Sequence, residues 1–351
     1  MIFGSFQLVP KVSLGVDIGT SSLKVVELSK WGYRKTLKNY GEMEAKALYE
    51  KPFRTFEKNS LLLSSEDVAR ALRGVIQEAK MESRKAAFSI PAFATFFTNF
   101  ELPPMTKEEL PDAVRFEARR HIPVPISEVV YDWQLLEGKI GQKTPLKVLL
   151  VAVPTEALNQ YQEIARLAKI QLIGMEAEVF GLLRAAQITT KKAVILVDIG
   201  AQSTTVSVVS GKMVHLSHSI ESSGNSLTAR LSESLSIPYD AAEREKRSKG
   251  LRDALQARVL APLLDLIVLE IQKVSRQFQQ STANPIERVI LTGGTAVLPG
   301  FREYMEKNMG IRAEILDAFG DIFTPPVLED VLSALGPSYA VAVGMALKGI
   351  E

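Results

Sequence analysis

The sequence predicts an α/β fold made of two related halves that share one cleft. Three observations carry that expectation. A strand ending in Asp17-Ile18-Gly19 is matched, near the middle of the chain, by a strand ending in Asp198-Ile199-Gly200. A Gly293-Gly294 turn directly follows a third buried-strand pattern. Between these points, two-residue hydrophobic alternation gives way repeatedly to helical spacing, which is the pattern of mixed α/β layers.

In the first half, Val12, Leu14, Val16 and Ile18 alternate into the turn at residues 19–22, and Val25, Val26 and Leu28 resume a second strand. Residues 35–43 read as a third strand. Ser64, with Asp67 three positions on, caps a helix whose apolar face is Val68, Ala71, Leu72, Val75, Ile76 and Ala79. Residues 86–90 form an apolar strand stopped by Pro91. Residues 91–170 read as a small α/β insertion. It holds a strand over 95–102, a helix from the Thr106/Glu109 capping box to His121, strands over 129–136 and 146–153, and a helix from Thr155. Pro123 and Pro125 forbid continuation of the first of these helices.

The second half restarts the opening pattern with strands over 193–199, 204–209 and 212–220. After residues 222–225 the chain reads as helical and polar through Lys249. A long amphipathic helix follows, carrying Leu263, Leu266, Ile267, Ile271, Val274 and Phe278. Residues 288–291 are a strand, and residues 338–348 a helix in which Ala340, Ala342, Gly344 and Ala346 leave room for close approach.

Bulk properties narrow the function. The chain has 351 residues, 46% hydrophobic and 23% charged, enough for a large two-lobed core. Lysine plus arginine (42) nearly balances aspartate plus glutamate (40), so no global charge points to nucleic acid. Cysteine is absent, which removes disulfides and thiolate metal sites and fits a reducing compartment. The amino terminus does not read as a signal peptide, and no run of about 18 apolar residues suggests a spanning helix. Membrane association is therefore expected to be peripheral or through a partner. Phe3, Phe6, Leu8 and Val9 read either as an end packed on its own domain or as a lipid contact.

The repeated segments, Asp17-Ile-Gly-Thr-Ser-Ser-Leu-Lys24 and Asp198-Ile-Gly-Ala-Gln-Ser-Thr-Thr205, have the chemistry of a polyphosphate site. A glycine turn lets phosphate approach, and its successive N–H groups point at the anion. Thr20, Ser21 and Thr204 add hydroxyl donors and Lys24 a compact positive charge. Asp17 and Asp198 would repel phosphate directly but suit Mg²⁺ held through water.

Here the sequence resembles the actin-like ATPase superfamily, which includes actin, heat-shock chaperone ATPases, sugar kinases and the division protein FtsA. Asp17 to Lys24 looks like its first phosphate motif and residues 197–209 like its second. Val289-Ile-Leu-Thr-Gly-Gly-Thr-Ala-Val-Leu-Pro-Gly300 is similar to its adenosine motif, and residues 176–186 and 338–347 to its two connecting helices. Within the superfamily the chain is similar to the PilM family of type IV pilus assembly. The stretches that carry this are Phe88-Ser-Ile-Pro-Ala-Phe-Ala-Thr-Phe-Phe97, Leu102-Pro-Pro-Met105, Phe116-Glu-Ala-Arg-Arg-His-Ile-Pro-Val-Pro125 and Tyr131-Asp-Trp133.

The resemblance implies a duplicated ribonuclease H-like fold, with an FtsA/PilM-type subdomain (1C) inserted in the first lobe. The implied division is a first-lobe core over 1–90, the insertion over 91–170 and a connecting helix within 171–190. The second-lobe core would cover 191–220, its subdomain 221–280 and the adenosine segment 281–330, with a hinge helix over 331–351 returning to the first lobe. ATP and Mg²⁺ are the implied cofactors. Asp17 and Asp198 would hold the metal through water, and Gly19, Thr20, Ser21, Lys24, Gly200 and Thr204 would meet phosphate. Gly293, Gly294 and Thr295 would line the adenosine, and Glu243 and Lys246 would reach adenine and ribose. Ala201, Gln202, Gly224 and Asn225 would complete the nucleotide site, and Glu178 would orient water. Gln202 departs from the small residue common in relatives, which bears on hydrolysis more than on binding.

The implied partner is the cytoplasmic tail of a PilN-like inner-membrane protein, gripped beside the insertion, with other pilus inner-membrane components and self-association open. The implied place is the cytoplasmic face of that membrane. Two alternatives share the fold: an FtsA-like division filament and a small-molecule kinase. The first usually carries a carboxy-terminal anchor beyond the position of Lys348-Gly-Ile-Glu351, and the second an acceptor-side aspartate motif that the first half does not display.

Other features have structural readings beside functional ones. Arg244, Lys246, Arg247, Lys249 and Arg252 interleave with Glu243, Glu245 and Asp253 as a solvated helix face. His215 and His218 fall on opposite faces of a strand, and His121 at a helix terminus. Phe93, Phe96, Phe97, Phe100, Phe116 and Trp133 read as a subdomain core or, in part, a partner groove. Residues 222–225 are either a nucleotide loop or an ordinary turn, and Glu178 either orients water or pairs within its helix.

Overall fold

Three strands rich in Val, Leu and Ile begin the chain as an antiparallel meander: β1 (Lys11–Ile18), β2 (Ser22–Trp31) and β3 (Arg34–Glu44). The computed structural model describes residues 10–48, 54–55, 60–61, 63–282 and 284–351. Phe3, Phe6, Leu8 and Val9 lie outside them. A short helix α1 (Ala45–Leu48) and two-residue strands β4 (Arg54–Thr55) and β5 (Ser60–Leu61) lead to α2 (Ser65–Glu78). As the sequence predicts, Ser64 caps α2, its hydroxyl oxygen accepting the Asp67 N–H at 3.1 Å. Strand β6 (Lys85–Ile90) then pairs parallel with β1.

The insertion follows. Strand β7 (Phe96–Leu102), helix α3 (Leu110–His121) and strands β8 (Val129–Glu137) and β9 (Leu146–Pro154) make a separate sheet in the order β7-β9-β8, with its own small core. Helix α3 starts at Leu110, after the Thr106/Glu109 box, where Pro111 suits a first helical turn. The box still closes, with the Thr106 N–H donating to Glu109 Oε2 at 2.8 Å. Phe116 is a correction: it projects into solvent, because Leu110, Val114 and Ala118 supply the inner face of α3. Phe97 also leaves the insertion core and packs on Phe180. Helix α4 (Thr155–Leu167) and strand β10 (Gln171–Ala177) return the chain to the first sheet, and α5 (Glu178–Ala185) leaves it.

The second half repeats this plan. Strands β11 (Ala193–Ile199), β12 (Thr204–Ser210) and β13 (Met213–Ile220) form the second meander. The polar helical stretch is two helices, α6 (Gly224–Leu235) and α7 (Tyr239–Ser248), because Ser236 takes a left-handed conformation and Pro238 follows. Helix α8 (Ala254–Ser281) buries Leu260, Leu264, Ile267, Ile271, Val274 and Phe278. The stripe thus runs through Leu264, and the predicted core residue Leu266 is exposed. Strand β14 (Ile286–Thr292), helix α9 (Phe301–Met309), strand β15 (Ala313–Ile315) and helix α10 (Glu329–Ile350) complete the chain.

The two main sheets have one topology. Their orders are β10-β6-β1-β2-β3 and β15-β14-β11-β12-β13, with parallel and antiparallel pairs at corresponding places. This is the duplicated two-lobe α/β fold that the sequence predicts. Helices α2 and α4 cover the outer face of the first sheet and α8 and α9 that of the second. Between the sheets lies a shared core containing α5 and α10 together with Val26, Leu28, Val194, Leu196 and Ile290.

Helix α10 begins nine residues before the predicted start at Ser338, with Pro337 inside it. It is long and apolar enough to cross a membrane by composition, and it is mostly buried between the lobes. It lies directly on β1 and α5. A Cβ at Gly15 would come within 1.9 Å of the Ala342 carbonyl oxygen, and one at Gly344 within 2.0 Å of the Gly181 carbonyl oxygen. Glycine is required at both crossings because the backbones leave no space for a methyl group.

Replacing Gly344 by alanine is therefore expected to lower stability by about 3 kcal/mol, the upper part of the overpacking range. Gly74→Ala, inside α2 where an added methyl meets only the mobile end of Met43, is expected to be neutral or stabilising. Urea denaturation of the two variants beside the wild type checks the contrast.

Candidate functional site

Each lobe presents the same turn at the end of its first strand. The Gly19 N–H donates to the Ser22 carbonyl at 2.9 Å, and the Gly200 N–H to the Ser203 carbonyl at 2.9 Å. In the first turn, neither the Thr20 nor the Ser21 N–H bonds to a described residue, so both are available to an anion. Ser21 is exposed and Thr20 nearly buried. The Ser21 carbonyl instead accepts the Ala45 N–H at 2.8 Å, which ties the turn to the end of β3.

Sheet register sets the polar floor of the first lobe. Asp17, Lys24 and Glu42 are directly opposed across β1, β2 and β3 and so share one face. The buried Asp17 accepts the Ser89 hydroxyl at 2.8 Å. The Lys24 ammonium donates to Ser22 Oγ at 2.7 Å, pairs with Glu42 at 3.3 Å and lies 5.9 Å from the centre of the Tyr339 ring. To reach a phosphate, Lys24 must exchange Glu42 for it. Glu178, the first residue of α5, is buried, and its Oε2 accepts the Ala92 N–H at 3.1 Å. This bond runs to the loop after β6.

The second lobe gathers the remaining predicted residues. The Gly224 N–H donates to the Gly200 carbonyl and the Asn225 N–H to the Ala201 carbonyl, both at 2.9 Å, so the start of α6 sits on the second turn. Gln202 and Asp198 are half-buried beside it. The Thr295 N–H donates to the Ile199 carbonyl at 3.3 Å, and a Cβ at Gly293 would meet Asp198 Oδ1 at 2.5 Å. Gly294 has open space where a side chain would be. Thr204 differs from its expected use: its hydroxyl is fully buried and donates to the Ser222 carbonyl at 2.6 Å. Residues 222–225 are thus a cap and first helical turn, with Ser223 as N-cap.

Glu243 and Lys246, one turn apart on α7, form a pair at 2.7 Å. Lys246 is buried, and donates also to the Gly224 carbonyl at 2.9 Å and to Thr228 Oγ1 at 2.7 Å. Burial pushes its pKa down, against the pull of Glu243. Burial alone would raise the carboxyl of Glu243. The Lys246 charge, with hydrogen bonds from Lys246, Thr228 and Arg247, outweighs that and holds it at about 2. Two further members of the basic cluster pair with the interleaved carboxylates, Arg247 with Glu243 and Lys249 with Glu245, both at 2.7 Å.

Sequence reasoning missed the residues that join the lobes. The Pro337 carbonyl on α10 accepts the Thr292 hydroxyl at 2.8 Å and the Gly293 N–H at 2.9 Å. Two positions on, Tyr339 stands beside Lys24 and meets Tyr40 edge-on at 5.8 Å. One stretch of α10 therefore touches both turn regions. At the mouth, Lys46 pairs with Asp240 across the lobes. Arg247 has its pKa raised first by its bond to Glu243, and further by the charges of Glu243, Glu44 and Glu42.

The predicted histidines have structural places. His215 is buried against Phe278, with Nε2 2.7 Å from Ser210 Oγ, and burial lowers its pKa. Its carbonyl accepts the Asn99 side-chain amide, fastening the edge of the insertion to β13. His218 points outward to Glu270, and His121 stacks on Phe100 at 5.1 Å. Among the described residues no three His, Asp or Glu side chains gather as a metal cluster.

A family model described as type IV pilus assembly protein PilM matches residues 15–350. Cell division protein FtsA of Streptococcus pneumoniae is 19% identical over 355 residues, covering 86% of this chain and 74% of that protein. Among solved structures, the PilM–PilN type IV pilus biogenesis complex is similar with a TM-score of 0.84 at 25% identity, over 97% of this chain and 98% of that one. MreB5 of Spiroplasma citri bound to ADP shares the fold, with a TM-score of 0.54 at 11% identity over 96% of this chain and 95% of that one.

The Glu243 pair gives an acid limb to stability. Because its carboxyl is depressed from 4.5 to about 2 in the folded chain, its contribution is complete above pH 4.5 and is lost as pH falls through 2. In Glu243→Gln that limb is expected to flatten, with stability at neutral pH also lower because Lys246 stays buried without its counter-charge. Denaturation midpoints measured from neutral to acid pH check both effects.

Proposed function

Since the chain belongs to the family of type IV pilus assembly protein PilM, an actin-like adaptor of pilus assembly, we propose that it binds ATP with Mg²⁺ in its interlobe cleft and grips the cytoplasmic tail of a PilN-like inner-membrane protein. The observation that carries the nucleotide half is the repeated turn, with the same 2.9 Å bond at Gly19 and at Gly200 on either side of α10. The donor set fits a nucleotide polyphosphate. The Thr20 and Ser21 N–H groups are available, both strands end in a carboxylate, and glycines line the approach.

In this reading Asp17 and Asp198 hold the hydrated metal, with Ser89 fixing the first of them. The first turn and Lys24 meet the phosphates from one lobe; Gly200, Ala201 and Gln202 meet them from the other. Thr204 supports the second turn through Ser222. Gly224, Asn225, Glu243, Lys246, Gly293, Gly294 and Thr295 surround the nucleoside. Glu178 orients water where hydrolysis occurs. Bound Mg²⁺ supplies charge neutralisation that lets two carboxylates and a polyphosphate share one cleft.

The adaptor half rests on the family and on its similarity to the PilM–PilN complex. A ligand that touches both lobes favours their closed arrangement and shifts the population toward it. The insertion meets the second lobe at Asn99 and His215, so closure alters the setting of the insertion and with it the peptide face. The protein then works at the cytoplasmic side of the inner membrane, held there by its partner and by other pilus inner-membrane components.

Two measurements test these halves separately. The double variant Asp17→Ala, Asp198→Ala is expected to lose the Mg²⁺-dependent part of ATP affinity in equilibrium titration; equal affinity with and without the metal in wild type contradicts the metal roles. Calorimetry with a PilN-like tail peptide is expected to show binding whose affinity changes with nucleotide. Absence of binding in every nucleotide state contradicts the adaptor reading.

A further inference from the structure

The hairpin joining β2 to β3 carries two large aromatic side chains where solvent is fully accessible. Trp31 is 67% exposed and Tyr33 101%, the latter as open as an isolated residue. Two large aromatic side chains open to solvent within three residues of one hairpin mark it as a candidate interaction surface. Around them the segment 29–39 carries Lys30, Arg34, Lys35 and Lys38 and no carboxylate. None of the four cations makes an ion pair with a described carboxylate. That separates this cluster from the one at α7, where Lys246 and Arg247 pair with Glu243 and Lys249 pairs with Glu245.

The tip is held firmly. The Leu37 N–H donates to the Phe323 carbonyl at 3.0 Å, and the Phe323 N–H to the Lys35 carbonyl at 2.9 Å. The Arg34 guanidinium lies 3.8 Å over the Phe323 ring, which is itself half exposed. Trp31 stands seven residues along β2 from Lys24, roughly 23 Å at the usual strand rise, so the tip is well apart from the cleft.

We infer that this hairpin is a lipid-facing surface, seating Trp31 and Tyr33 among the headgroups of an anionic bilayer. Indole and phenol rings favour the membrane–water boundary, where one end is apolar and the other wet. The unpaired lysines and arginine complement anionic headgroups, and a convex tip suits a plane better than it suits a groove. The inference goes beyond the adaptor reading and does not depend on it, since the contact needs neither nucleotide nor peptide.

The test is sedimentation of the full chain with vesicles of phosphatidylcholine alone or mixed with phosphatidylglycerol, without any partner peptide. Binding is expected to the mixed vesicles only, and to fall as salt rises. Each cation removed is expected to weaken it about fivefold, so Arg34→Gln with Lys38→Gln should lose about 25-fold. In Trp133→Phe, which leaves Trp31 as the sole indole, fluorescence should shift to the blue on adding the mixed vesicles. Trp31→Ser with Tyr33→Ser should abolish sedimentation while the melting temperature and tail-peptide binding stay at wild-type values. No sedimentation at low salt overturns the inference, as does wild-type sedimentation of the hairpin variants. A blue shift that follows protein concentration without vesicles also overturns it, by identifying a protein contact instead.

Discussion

Backbone-to-backbone packing of α10 against β1 and α5 sets the arrangement of the two lobes. Gly15 accepts the helix at Ala342 and Ala346, and Gly344 meets Gly181 where the two helices cross. With no side chains between them, the helix can slide neither outward nor along its axis without losing contact with both elements. This fixed seat puts the Pro337 carbonyl under Thr292 and Gly293 and the Tyr339 ring beside Lys24. Both turn regions are thereby referenced to one helix.

The duplicated topology explains why the turns match. In each lobe the first strand is central, with an antiparallel partner on one side and a parallel one on the other. Its carboxyl end therefore opens onto the same position relative to the sheet, and the Asp-x-Gly turn is carried there twice. The free edges are managed differently. Edge strand β3 is partly covered by Phe323, and β13 by the insertion through Asn99 and His215. Both covers come from the opposite lobe, so the means of protecting an edge also couple the halves.

Local signals made much of this visible in the sequence. The Ser64 cap, the proline stop after β6 and the strand alternation before each aspartate act over a few residues, and the structure keeps them. The paired turns stand out because the same eight-residue pattern occurs twice. Features fixed by distant contacts were not legible. Leu266 has helical spacing suited to a core, yet the second sheet lies toward Leu264. The three-residue β15 has no periodicity to detect, and Pro337 hides the continuity of α10. In the candidate site, Glu42 as the partner of Lys24, and the roles of Pro337 and Tyr339, follow from register and helix placement rather than from any motif.

At the crossing of α5 and α10 the Gly181 carbonyl occupies the place that a methyl group at Gly344 would need. Packed interiors transmit strain, and a side chain at such a point could turn to another rotamer and absorb part of a displacement. Here backbone meets backbone, so no rotamer is available to act as a cushion. A shift of α10 at this point is passed to α5 undiminished.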